Sequence, residues 1–203
     1  MRKSQGIFFV LSAPSGCGKT TLGNIILKEV PELTRSISHT TREKRDLEEN
    51  GKDYFFVTQD EFEEMIQEDG LIEWERVHTN IYGTSKKSLR DLSQNSDLLL
   101  IIDYKGAATM KRTFPNETVT IFVIPPSFET LASRIKGEGD SRVDELEVRL
   151  QTAREELKNA HSFDYIVENN KLEVAAAEIQ AIIAAERIKR DRKTQQIDSM
   201  IKA

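Results

Sequence analysis

The sequence predicts an α/β protein built around a parallel sheet, and three observations predict it. Residues 6–12 (Gly-Ile-Phe-Phe-Val-Leu-Ser) form a continuous apolar, β-rich run, the pattern of a strand covered on both faces. A Gly/Ser/Pro turn at 13–18 and an apolar-periodic segment from Thr20 to Glu29 follow directly, so a strand leads through a tight turn into a helix. Runs of the same buried kind recur at Leu98–Asp103 and Val119–Ile124, the second stopped by Pro125-Pro126.

In chain order, the first helix carries Leu22, Ile25, Ile26 and Leu27 at helical spacing and ends before Pro31. From Thr34 to Val57 polar and β-branched residues alternate, and an acidic helical stretch follows at Asp60–Asp69; this reads as a small lobe inserted into the sheet protein. Residues 128–160 are helical and highly charged, broken by Gly137-Glu138-Gly139. Asp164–Val167 is a fourth, shorter core strand, and residues 172–190 a long Ala/Ile/Glu-rich helix. Beyond Glu186 the chain is polar and basic, with six Lys/Arg against two Asp from Arg187 to Ala203, and is expected to fray.

Composition narrows the function. The 203 residues suit one core with inserted lobes. With 29 Lys+Arg against 34 Asp+Glu the net charge is −5, which argues against a protein that coats nucleic acid. Apolar runs of about five residues fall far short of a membrane span, and the apolar part of residues 1–13 is too short for a secretory signal. One cysteine excludes an internal disulfide framework and a cysteine-based zinc site, so a cytoplasmic location is expected. His39, His78 and His161 have no metal-ligand spacing and read as non-catalytic.

Ala13-Pro14-Ser15-Gly16-Cys17-Gly18-Lys19-Thr20 lies between the first strand and the first helix and matches the Walker A pattern, with Ala13 in place of its first glycine. Gly16 and Gly18 allow the backbone turn that points consecutive N–H groups at an anion, and the helix N-terminus adds its dipole. Lys19 supplies a mobile charge for β- and γ-phosphates, and Thr20 a hydroxyl for Mg²⁺. Cys17 reads as the occupant of a variable loop position.

Further motifs follow in order: Ser36-Ile37-Ser38-His39-Thr40-Thr41-Arg42-Glu43-Lys44-Arg45, then Glu48-Glu49-Asn50-Gly51-Lys52-Asp53-Tyr54, Ile72-Glu73-Trp74 and Tyr82-Gly83-Thr84. Arg42 and Arg45 can fork onto a phosphate, and Tyr54 and Tyr82 can donate hydroxyls to the same oxygens. A carboxylate at Glu73 can accept from the N1–H and N2–H of guanine, with Ser38 and Thr84 completing the base edge. Adenine reverses that polarity and would leave Glu73 unpaired.

Across roughly residues 6–185 the chain resembles the guanylate kinases. The resemblance implies a P-loop three-layer fold with a central parallel five-stranded sheet, an inserted GMP-binding lobe and a helical lid. The core would comprise 1–37, 89–127 and 154–186, the GMP-binding lobe 38–88 and the lid 128–153, with a polar C-terminal tail at 187–203. It implies transfer of the γ-phosphate of ATP to GMP with Mg²⁺, by an enzyme that acts as monomer or homodimer with no nucleic-acid or membrane partner. GMP would be held by Ser38, Arg42, Arg45, Tyr54, Glu73, Tyr82 and Thr84. Lys19, Arg42, Arg134, Arg149 and Asp103 would act on the transfer, Asp103 by orienting Arg42 or holding a water on Mg²⁺.

Four positions depart from the family pattern: Leu47 for a glycine, Ile101 for an acid two residues before Asp103, Glu138 for a lid arginine with Arg142 as its substitute, and Glu168 for an asparagine near the adenine. Two rivals remain, a non-catalytic interaction module and a kinase for another nucleoside monophosphate. Lys19 and Thr20 argue against the first, and Glu73 with Ser38 and Thr84 against an adenine acceptor.

Overall fold

The structure is a computed structural model that describes residues 6–77, 79–137 and 143–201. Strand β1 (Phe8–Ser12) leads into helix α1 (Lys19–Glu29), followed by β2 (Leu33–Arg35), β3 (His39–Thr40), β4 (Phe55–Phe56) and α2 (Gln59–Gln67). The chain continues through β5 (Leu71–Val77), β6 (Asn80–Ser85), α3 (Lys86–Ser93), β7 (Asp97–Ile101), α4 (Tyr104–Thr113) and β8 (Thr118–Ile124). It ends with α5 (Phe128–Gly137), α6 (Val143–Lys158), a 3₁₀ turn at Asn159–Ser162, β9 (Tyr165–Glu168), α7 (Leu172–Arg187) and α8 (Arg190–Ile201). Among the described residues no helix is long and apolar enough to cross a membrane.

Five strands pair in parallel in the order β2-β7-β1-β8-β9. Helices cover both faces, which is why β1 is apolar from Phe8 to Leu11. Phe9 and Leu11 join the core shared with α1, α5, α6 and α7, whereas Phe8 and Val10 face the core shared with α3 and α4. Ile101 belongs to the first of these faces. Its side chain lies against Gly23 of α1, where an added Cβ would come within 2.4 Å of Ile101 Cδ1. An apolar residue at this position therefore packs a helix onto the sheet.

The sheet's fifth strand is concealed in the sequence pattern. The alternation beginning at Thr34 suggests the inserted lobe, but Leu33–Arg35 pairs with β7 at the edge of the main sheet. Three residues half-covered at an edge carry too little apolar signal to be distinguished from the lobe. A second correction concerns the C-terminus. The expected frayed tail is helical over Arg190–Ile201, and its entry is fixed by Arg187, which donates to Asp97 and to the Pro31 carbonyl.

The second sheet has the order β4-β3-β6-β5, with β5–β6 and β3–β6 antiparallel and β3–β4 parallel. Its buried core is small, formed by Phe62, Leu71 and Ile81. Helix α2 brings Phe62 to it and begins with a reciprocal cap. The Thr58 hydroxyl accepts from the Glu61 amide, and the Glu61 carboxylate accepts from the Thr58 amide at 2.7 Å. A register shift between Leu71 and Glu73 sets Glu73 opposite Thr84, the re-aiming that a bulge provides.

Candidate active site

The loop from Ala13 to Gly18 joins β1 to α1 and is held by its backbone. Gly16 and Gly18 both have φ near +80°, at 79° and 78°. A Cβ at Gly16 would come within 2.9 Å of Ile135 Cγ1, and one at Gly18 within 2.9 Å of Asn169 Nδ2, so space and conformation both demand glycine. Ala13, Pro14 and Cys17 are buried, and Cys17 belongs to the main core, so it anchors the loop rather than filling a free position. Ser15 and Thr20 are exposed, and the first turn of α1 carries no acid to offset its positive end.

Lys19 folds back over this loop and donates from Nζ to the Ala13 carbonyl at 3.2 Å. Burial pushes its pKa down, opposed first by the charge of Glu156 and then by that of Asp103. The two arginines expected in the lid both reach the loop's surroundings. Arg149 of α6 donates to Ser15 Oγ at 2.9 Å, and Arg134 of α5 donates to the Asn169 carbonyl at 2.9 Å. Asn169 is buried and donates from Nδ2 to the Cys17 carbonyl at 2.9 Å. The asparagine at the nucleotide loop is thus Asn169, while Glu168 is exposed at the end of β9. Glu138 and Arg142 lie outside the described residues.

The expected acceptor residues gather on the second sheet and the loop between β3 and β4. Arg42 pairs with Glu48 at 2.7 Å, donates to the Glu43 carbonyl at 2.8 Å, and lies over the Tyr54 and Phe56 rings at 5.6 Å. The Glu48 bond is the chief reason its pKa is raised, with Tyr82 adding a hydrogen bond; the same pair holds Glu48 low. The Tyr54 and Tyr82 rings meet edge to face with centroids 5.7 Å apart, and burial pushes the Tyr54 hydroxyl's pKa up. Arg45 is exposed on the loop, where its amide donates to Glu48. Leu47 on the same loop is exposed. Ser38 is half-buried beside β3, and its carbonyl receives the Phe55 amide.

Glu73 sits at the junction of the two sheets. It accepts the Thr84 hydroxyl at 2.5 Å, and its Oε2 lies 3.0 Å from where a Cβ on Gly106 would be, so the glycine makes room for the carboxylate. Burial raises the Glu73 pKa to about 7; the Thr84 hydrogen bond opposes the rise, and the charges of Asp103 and Glu75 add to it. Asp103 caps α4, accepting the Gly106 amide at 2.8 Å. The expectation that Asp103 orients Arg42 is corrected, because Glu48 is the carboxylate that Arg42 meets. Asp103 faces Lys19 and Glu73 electrostatically, between the two halves of the site. Lys105, two residues on, pairs with Glu75 at 2.5 Å and ties α4 to β5.

A glycine-shaped loop with a half-buried lysine folded over it and two arginines approaching it from neighbouring helices define a P-loop phosphotransferase. The guanylate kinase family model matches residues 5–186. The chain is 42% identical over 191 residues to the guanylate kinase of Caldanaerobacter subterraneus subsp. tengcongensis, covering 94% of this chain and 92% of the relative. It is 45% identical to that of Syntrophomonas wolfei, covering 91% and 95%. The crystal structure of guanylate kinase from Anaplasma phagocytophilum is similar with a TM-score of 0.78 at 34% identity, covering 94% of this chain and 90% of that one. The chain belongs to the guanylate kinase family, the ATP:GMP phosphotransferases.

Proposed function

We propose that the two halves of the site divide the reaction between them: residues 13–20 hold ATP, and residues 38–88 hold GMP, giving ADP and GDP. The observation that carries the reading is Glu73, a buried carboxylate fixed by Thr84 and given room by Gly106. A carboxylate so held accepts both N1–H and N2–H of guanine, and the energetic cost of leaving it unpaired rejects adenine. Ser38 completes the base edge, while Arg42, Arg45, Tyr54 and Tyr82 bind the GMP phosphate.

The transfer is in line, driven by positioning and charge neutralisation rather than by a covalent intermediate. Lys19 holds the β- and γ-phosphates of ATP. Arg134 and Arg149, from residues 128–153 acting as a lid, stabilise charge on the moving phosphoryl group. The exposed Thr20 hydroxyl and the Asp103 carboxylate offer the oxygen donors that suit Mg²⁺ alongside phosphate oxygens. Thr20 would ligate the ion and Asp103 would accept from a water on it; Mg²⁺, when bound, neutralises the β- and γ-oxygens.

A coupled ATP assay offering GMP, AMP, dTMP and UMP in turn tests the reading. GMP is expected to support turnover at least about 10⁴-fold better in kcat/KM than AMP. Equal use of AMP removes Glu73 from the reader role, and no turnover with any of the four favours a non-catalytic module.

A further inference from the structure

Glu73 and Glu75 alternate along β5, so both side chains leave the same face of the second sheet. Both residues are half-buried, whereas Trp74 and Arg76 are exposed. The strand register sets Glu73 opposite Thr84 and Glu75 opposite Tyr82, which places Glu75 among three residues assigned to the acceptor. This face meets the first turn of α4. Gly106 gives room to Glu73, and its neighbour Lys105 pairs with Glu75 at 2.5 Å. On the other side of Glu73, Ile72 packs against the core that β1 and β7 share with α3 and α4. Glu73 therefore stands between two ties of its strand to the core, an apolar one at Ile72 and an ionic one at Glu75. The reaction as described uses neither member of the ion pair.

We infer that Lys105 and Glu75 are positioning residues for the acceptor base: their ion pair fixes β5 to α4 just beyond Glu73, so that the Glu73 carboxylate is in place before GMP arrives. The inference rests on reading Glu73 as the group that takes the guanine edge. The second sheet has a small buried core of its own, so its ties to the main core help to set where its side chains stand. Without the pair, arrangements with Glu73 displaced gain population, and GMP affinity falls with the competent fraction. The pair has side-chain exposures of 52% and 31%, which limits the effect to about fivefold. Neither residue touches a reacting atom, and both act through Glu73.

A role through charge alone predicts something different. GMP is an anion, so removing the Glu75 charge would then strengthen its binding and removing the Lys105 charge would weaken it. Positioning predicts that either removal weakens it. Calorimetric titration of GMP and of ATP at pH 8 into wild type, Glu75→Met, Lys105→Met, the double variant and Lys105→Arg is the test. Each single Met variant is expected to bind GMP about three- to fivefold more weakly, and the double variant no more weakly than the weaker single, because both substitutions break one interaction. Lys105→Arg keeps the cation and is expected to stay within about twofold of wild type for GMP, with ATP affinity within about 1.5-fold in every variant. GMP affinity at or above wild type in Glu75→Met, single losses that multiply in the double variant, an Arg variant as weak as the Met variant, or an equal loss for ATP would each overturn the inference. Unchanged GMP affinity in Glu73→Gln, measured alongside, would instead overturn the reading of Glu73.

Discussion

The half of the site that we assign to ATP and the half that we assign to the acceptor are built by opposite means. The phosphate loop is shaped by backbone: two left-handed glycines, a buried Cys17, and Asn169 bonding a loop carbonyl, all set against the large core between sheet and helices. The acceptor half is shaped by side chains: Arg42 on Glu48, Tyr54 against Tyr82, Glu73 on Thr84, carried by a sheet with three fully apolar buried anchors. A backbone-built site changes little when one side chain is lost. A side-chain-built site on a small core is the part that adjusts, and our reading accordingly assigns substrate choice and closure to it.

The largest expected effect tests whether chemistry resides in the loop. Lys19→Ala should lower kcat by about 10²- to 10³-fold while GMP affinity stays near wild type, because the lysine acts on the donor phosphates. Steady-state kinetics with both substrates varied checks it, and near-normal turnover would remove Lys19 from the transfer.

The next test separates the halves by stability. Phe62 is fully buried in the small core, and Phe62→Ala should cost about 3–5 kcal/mol locally. GMP binding should disappear while ATP binding and most helical signal persist. Loss of ATP binding in step with GMP binding would mean that the two halves unfold together.

A smaller effect follows from the Glu73 proton. With a folded pKa of about 7 against an ordinary 4.5, the neutral form is favoured in the fold. The associated stability is fully present below pH 4.5 and is lost as pH rises to about 7. Glu73→Gln carries no charge, so at pH 8 it should be more stable than wild type by up to about 3 kcal/mol, visible as a higher melting temperature. Binding runs the other way, because guanine needs the carboxylate. GMP affinity should fall about fivefold between pH 7 and pH 6 in wild type, beyond any fall in the Gln variant measured alongside. Parallel curves for the two proteins would contradict the assignment.

The same contrast explains what the sequence made legible. The phosphate loop is eight contiguous residues in a strand–turn–helix setting, so both its form and its place could be read directly. The β1, β7 and β8 strands were legible because burial on both faces leaves runs dominated by apolar and β-branched residues. The edge strand β2 was not, because it is short and half-covered. Among the site residues, the roles of Glu48 and Asn169 escaped notice because each acts through a partner that the fold supplies; Asn169 meets Cys17 across 152 positions. A hydrogen bond between distant positions leaves no local pattern in a single sequence. The tail was legible as a solvated, fraying helix end, but its polar composition says nothing of the ion pairs from Arg187 and Arg192 that hold the start of α8.

The central claim is that Glu73 reads the acceptor base independently of the backbone-built ATP loop. Calorimetric titration of Glu73→Gln with GMP and, separately, with ATP at pH 8 tests it most directly. GMP affinity is expected to fall by about 10- to 100-fold, equivalent to roughly 1–3 kcal/mol for an unpaired buried group, with ATP affinity within about twofold of wild type. Unchanged GMP affinity, or an equal loss for ATP, would contradict it.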